Sequence, residues 1–336
     1  MRAQDPPPPA RRARRGPLTA VALALFFAGS AGHAGHAAPP APPAAVNPDW
    51  APGAVLYEIA VPKGGLQGLI AKLDYLNDGN PHSFGDLGVD VLYLRRVGAG
   101  EDLAPLLAGA RKRGMKVIVD PGRPGGGSLP KSLDAPLAAA VVKGAKEGQA
   151  GGIAAQLAEL VRRSPGGKGE TPFLASPAGP RLAAQLGDLG REKSAAAVLL
   201  TLPGAPFLSD GEELGMGEKA NVAAETSDPD SLLSSYRFLI RARHNSEALR
   251  QGSLTLLTQA TETTPVLAFR RATAAETVLV VHNLGDAAVE AGPYNVSGTP
   301  DPFYLSPGVT PPTGGAGAWK VKLPPHASGI WRLRVR

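Results

Sequence analysis

Between Val55 and Asp120 the chain alternates strand-like and helix-like segments with short connections, and this alternation constrains the fold more than any other feature. VLYEIAV (Val55–Val61) reads as a strand. GGLQGLIAKLDYL (Gly64–Leu76) carries Leu66, Leu69, Ile70, Leu73 and Leu76 on one helical face. A turn-rich NDGNPHSFGDLG leads into VDVLYL (Val89–Leu94), a second strand. LAPLLAGARKRG follows as a helix closed by Gly114, and KVIVD (Lys116–Asp120) is a third strand. Strands separated by helices need crossover connections rather than hairpins, so the spacing predicts βα units on a parallel sheet.

The same alternation is expected from Thr171 to Met216. TPFLAS is short, apolar and bounded by Pro and Gly, as a buried strand would be. Arg181–Leu189 has Leu182, Leu186 and Leu189 at helical spacing. Ala195–Leu202 (AAAVLLTL) is a continuous apolar run before a Pro-Gly turn and is read as a parallel strand covered on both faces. In between, DAPLAAAVVKGAKEGQAGGIAAQLAELVRRS is helical, and Ser227–Leu249 opens with Ser and Asp capping residues ahead of an apolar-periodic run. From Gln251 the pattern turns to strands: SLTLL, PVLAFRR, TVLVVHNL, AWKVKL and GIWRLRV. Pro293–Ala316 is read as mostly loop.

The N-terminus differs in kind. Residues 1–16 are Pro-rich and then basic, Leu18–Ala28 is apolar, and small residues follow, which describes a secretory signal peptide over 1–37. An uncleaved membrane anchor is the alternative, but the run is too short to span a bilayer. Residues 38–49 form a Pro/Ala-rich linker. The leader holds five arginines and one aspartate, +4 of the formal +6, so the basic balance is mostly the leader's. The body has no basic stripe with interleaved aromatics, which argues against a nucleic-acid partner. No membrane contact is expected once the leader is cleaved, and the sequence leaves the oligomeric state open.

With no cysteine, thiolate metal sites, disulfides and cysteine nucleophiles are excluded. No G-x-S-x-G, P-loop, G-x-G-x-x-G or H-E-x-x-H motif occurs, and His82, His244, His282 and His326 fall in different elements, so no metal set is expected.

Several blocks carry a resemblance. AAAVLLTLPGAPFLSDGEELGM is similar to the eighth strand unit of the α-amylase family of glycoside hydrolases, roughly AAALLLTLPGTPFLYYGEELGM, and differs mainly at Ser209 and Asp210. FLASPAGPR keeps Phe173, Leu174, Pro180 and Arg181 of the seventh-unit pattern FLTNHDQPR but has Ser176, Pro177 and Ala178 for Asn-His-Asp. KLDYLNDGNPHSFGDLGVDVLYL and RKRGMKVIVD resemble the first units, with Asp120 on the family's third-strand Asp. The final barrel helix and the all-β C-terminal domain have counterparts too.

The resemblance implies an α/β fold: a TIM-type (β/α) barrel over 50–250, then a small all-β domain over 251–336. Only 52 residues separate Asp120 from Phe173, where the family fits its fourth, fifth and sixth strands. A βα unit needs roughly 30 residues, so about three central strand units are expected to be missing. Strands are read at Tyr57, Val89, Val117, Phe173 and Val198, leaving an edge for the loop Gly122–Ser132 or a partner chain to cover.

The resemblance also decides the expected chemistry. A retaining glycosidase needs two carboxyl groups across the scissile bond. The family's nucleophile and acid lie on the missing fourth and fifth strands, and its third catalytic Asp corresponds to Ala178. The family's calcium-ligand Asn corresponds to Pro124 and its substrate-subsite His to Gly125; neither side chain can do that work. What remains at the barrel top is vestigial: Asp120, Ser176, Ala178, Arg181 and Glu212, with Arg181 tying loops and Glu212 and Glu213 supporting the turn after the eighth strand. The expectation is an exported, catalytically inactive carbohydrate-metabolism protein with no cofactor, whose ligand would be an α-glucan or maltooligosaccharide. Two alternatives stay open: an active α-glucan hydrolase or transglycosylase using displaced carboxylates, and a non-catalytic scaffold.

Overall fold

The computed structural model describes residues 53–61, 65–120, 134–164, 166, 169–175, 179–215, 221–258, 263–315 and 317–334. The expected leader and linker lie outside these residues, as do Pro124, Gly125, Ser176, Pro177 and Ala178.

Four parallel strands form the first sheet: β1 (Leu56–Ala60), β2 (Val91–Arg95), β3 (Lys116–Val119) and β4 (Phe207–Ser209), in the order β3-β2-β1-β4. Their register aligns Leu56, Val91, Lys116 and Phe207 at one level and Glu58, Tyr93, Ile118 and Ser209 two residues on. Side chains alternate along a strand, so these rows share a face. Most of these side chains are apolar: Leu56, Val91, Tyr93, Ile118 and Phe207 pack together with Phe173, Ala205 and Ala138. Tyr57, Ile59, Leu92, Leu94 and Leu208 point the other way, into the helical layer.

That layer contains α1 (Gln67–Ala71), α2 (Leu73–Leu76), α3 (Ala104–Lys112), α4 (Ala135–Glu147), α5 (Gly151–Arg163), α6 (Leu182–Leu186), α7 (Leu189–Thr201), α8 (Val222–Ser227), α9 (Leu232–His244) and α10 (Glu247–Gln251). Local chemistry sets their ends. Asp134, Asp188, Ser231 and Ser246 each accept a backbone N–H of the first turn of α4, α7, α9 and α10. Gly114 takes φ +76° just after α3, where a side chain would be strained.

Two of the expected elements differ. The apolar run Ala195–Leu202 is helix, not strand: it is the C-terminal part of α7. Three consecutive alanines favour helix, and the Asp188 cap with Glu192 in the first turn starts it. Its all-round apolarity reflects burial among other helices and the C-terminal sheet, which periodicity alone cannot distinguish from a buried strand. The strand begins at Phe207, after a turn in which Gly204 has φ +97°. Phe173 makes a single parallel bridge to Phe207 rather than a full strand.

Two antiparallel sheets follow. β5 (Ser253–Leu256), β6 (Val266–Ala272), β7 (Thr277–Asn283), β9 (Thr299–Leu305) and β11 (Ser328–Arg334) form one, in the order β5-β6-β7-β11-β9; β8 (Val289–Tyr294) and β10 (Trp319–Leu323) form the other. The region Pro293–Ala316, expected as mostly loop, thus contains β9 and the end of β8. Pro300 and Pro302 hid β9; they are tolerated because β9 is an edge strand pairing only with β11. The large sheet is covered on both faces. Ala268, Leu279, Val281 and Trp331 face the small sheet's cluster, while Leu267, Phe269, Val278, Val280 and Ile330 join the core of the helical layer.

Two buried arginines fasten this junction. The Arg243 guanidinium donates to the carbonyls of Leu200 (3.0 Å), Leu202 (2.9 Å) and Gly204, and Arg271 of β6 to those of Thr201 (2.7 Å) and Gly252 (2.9 Å). They cap the negative end of α7. Burial lowers both below the usual arginine range, Arg243 to about 9.

Candidate functional site

The parallel register that makes the lower face apolar makes its upper end polar. Glu58 stands in the second row, beside Tyr93 and Ile118 of the apolar cluster, and Arg95 and Asp120 stand one row higher, at the strand tops on the same face. Here a cleft of about 260 Å³ opens, lined by Glu58, Arg95, Arg181, Ser209, Asp210 and Glu212 among others. Clefts at the carboxyl ends of parallel strands are the usual location of sites in α/β sheets.

Glu58 is 3% exposed. Its Oε1 accepts from Arg95 Nη1 at 2.6 Å, while its Oε2 is buried with no hydrogen-bond partner. Burial raises its pKa, opposed by Arg95 and reinforced by the nearby charges of Asp120 and Asp210. Arg96, which follows Arg95, has φ +56°, an uncommon conformation for a non-glycine residue.

Behind the cleft lies a buried acid–tyrosine cluster on the turn Glu212–Leu214. Tyr236 donates to Glu212 Oε1 at 2.9 Å, and Glu212 Oε2 is buried without a partner. Burial pushes the Glu212 carboxyl up to about 8, against the pull of the Tyr236 hydroxyl, so it carries a proton at neutral pH. Glu213 accepts from Tyr75 (2.7 Å) and lies 3.1 Å from the Tyr57 hydroxyl, which is also 2.9 Å from Asp210 Oδ1. One phenol hydrogen cannot serve two carboxylates, which agrees with burial raising the pKa of Glu213.

The remaining expected positions fall as follows. Arg181 lines the cleft with Nη1 3.5 Å from the Asp210 carbonyl, and Asp120 sits at the top of β3, its N–H donating to Leu94. Ser176 and Ala178 are outside the described residues. No group of three or more His, Asp or Glu among the described residues is arranged to hold a metal ion. His82, His244, His282 and His326 form no such group; His282, for example, is buried between Thr201 and Ser328.

Sequence reasoning passed over Glu58 and Arg95. The signal was present: LYLRRV puts two arginines where the resembled strand reads LWLMPI, and charge at a strand end on a core-facing register calls for a partner.

No family model matches the chain, and no curated protein matches it by sequence. Solved structures do match by fold. The α-amylase from H. orenii superposes with a TM-score of 0.70 at 19% identity, covering 84% of this chain and 99% of that one. A debranching enzyme from Nostoc punctiforme gives 0.67 at 15% identity (84% and 99%), and the trehalulose synthase MutB from Pseudomonas mesoacidophila MX-45 gives 0.65 at 16% (85% and 99%). The chain therefore has an α/β fold like that of α-amylase-type enzymes, with all-β sheets at its C-terminal end.

Proposed function

We propose that this protein is an exported, non-hydrolytic carbohydrate-binding member of the α-amylase lineage, with a barrel over 50–250 shortened by about three central strand units and an all-β domain over 251–336. The observation that carries the reading is the cleft itself. Its side chains alternate donors and acceptors, Arg95 and Arg181 against Glu58, Asp210 and Ser209, which suits the hydroxyls of a neutral sugar. Its volume of about 260 Å³ lies just below the range of ordinary small-molecule pockets, room for one ring. Hydrolysis of a glycosidic bond needs rings on both sides of it and two carboxyl groups astride it. The family's three catalytic carboxylates have no counterpart in the sequence, and Glu58 and Glu212, each with one unpartnered oxygen, both line a one-ring opening. One of the neighbours of similar fold was crystallised with its substrate sucrose; for this chain an α-glucan end is the proposed ligand.

The test is incubation of the purified protein, lacking residues 1–37, with a chromogenic maltooligosaccharide, alongside NMR titration with maltose. Binding without turnover is expected. Turnover that disappears in Glu58→Gln or Glu212→Gln would overturn the reading in favour of displaced catalytic carboxylates.

One observation favours a scaffold as a second reading. Phe84, in the loop before β2, and Phe238, on α9, are 59% and 48% exposed with ring centroids 5.9 Å apart, while the residues of α9 around Phe238 are mostly buried. No shift in the maltose titration would turn attention to that surface.

A further inference from the structure

We propose that Glu58 and Arg95 together read a vicinal diol on the bound ring, with Glu58 Oε2 accepting from one hydroxyl and the Arg95 guanidinium donating to its neighbour. The inference rests on the sugar-binding reading of the cleft and names its recognition element. A buried carboxylate oxygen without a partner is costly to leave bare, because it has lost its water and gained no donor. Glu58 Oε2 is in that condition, on a residue 3% exposed that lines the cleft. The 2.6 Å contact to Arg95 uses Glu58's other oxygen and one guanidinium nitrogen, which leaves an acceptor and several N–H donors side by side. Adjacent ring hydroxyls present one donor and one acceptor at comparable spacing. A lone hydroxyl, an amine or an anion matches only half of this element.

The side chains are held in place before any ligand arrives. Glu58 is fixed by strand pairing on both sides, to β2 and to β4. Arg95 ends β2, and Arg96 beside it occupies the left-handed region at φ +56°. Strain of that kind collects where a site requires a particular backbone path.

The experiment measures binding of methyl α-glucoside and its monodeoxy analogues to the full chain and to Glu58→Gln, by NMR titration, with a circular dichroism melt confirming the fold of each. In the wild type, removing one hydroxyl of the recognised pair is expected to weaken binding about 10- to 100-fold, because Oε2 is again left bare. In Glu58→Gln the amide places a donor where an acceptor is needed, so the parent glucoside weakens by a similar factor and that deoxy analogue loses little further. Uniform affinity across the deoxy series in the wild type overturns the proposal. So does an unchanged affinity in Glu58→Gln. Should that variant fail to fold, the wild-type deoxy series decides alone. If glucosides do not bind but another cyclic diol, such as a galactoside or inositol, binds and is lost in Glu58→Gln, the diol reading stands and the α-glucan reading falls. If no cyclic diol binds, both fall.

Discussion

Glu212→Gln should flatten the pH dependence of stability above neutrality. Burial raises the Glu212 carboxyl from an ordinary 4.5 to about 8, so the folded state holds its proton more tightly than the unfolded chain does. The stability from this linkage is complete below pH 4.5 and is lost as pH rises through about 8, for a total on the order of 5 kcal/mol at about 1.4 kcal/mol per unit. His282 works against it at lower pH. Burial drives its pKa from 6.5 down to about 3, so only the unfolded chain protonates it below pH 6.5, and stability falls with acid there. The window from pH 6.5 to 8 therefore isolates the carboxyls. Across it Glu212 alone accounts for about 2 kcal/mol, with Glu192, pushed up to about 7 by burial, adding a smaller loss in the same direction.

The assay is urea unfolding at pH 6.5 and pH 8.0 for both proteins. The wild type should lose about 2 kcal/mol or more between the two pH values. The variant should lose clearly less and should be the more stable protein at pH 8.0, since its neutral amide still accepts from Tyr236. Equal losses in the two proteins would refute the argument, because the proton would then not reside on Glu212.

Gly204→Ala should cost at least about 2 kcal/mol in chemical denaturation, because a Cβ there would lie 2.5 Å from the Glu170 carbonyl oxygen at φ +97°. Arg271→Met should lower stability by about 2–4 kcal/mol by stripping the Thr201 and Gly252 carbonyls of their donor, seen as a drop in Tm. Phe84→Ser, on an exposed ring, should change stability by no more than about 0.5 kcal/mol, read from the same melts.

Much of the fold was legible because local signals and tertiary need agreed. The three strands from Leu56 to Val119 fall within two residues of their sequence readings, and the Ser231 cap sits inside the segment that announced a helix start. The misreadings mark where tertiary context decided. Ala195–Leu202 is apolar all round because α7 is enclosed, and β9 tolerates two prolines because it lies at a sheet edge. The site was legible only in part. Arg181 and Glu212 emerged through the resemblance to the α-amylase family, but the Glu58–Arg95 pair exists only because parallel register brings Glu58 and Arg95 to one face.

That pair also argues about what the upper face is for. Leu56, Val91 and Phe207 show that this sheet face can be filled with apolar side chains, which is the cheaper way to build an interior. One row higher, beside Tyr93 and Ile118, the same face instead buries a carboxylate, gives it a single guanidinium contact and leaves its second oxygen bare. A buried ion pair contributes little to stability compared with a hydrophobic replacement, and an incompletely satisfied one contributes less. Stability alone therefore does not account for Glu58. Glu58→Leu with Arg95→Met, changed together so that no charge is orphaned, should leave the Tm unchanged or raise it while abolishing sugar binding. A fall of several degrees in Tm with binding intact would mean that the pair is structural after all.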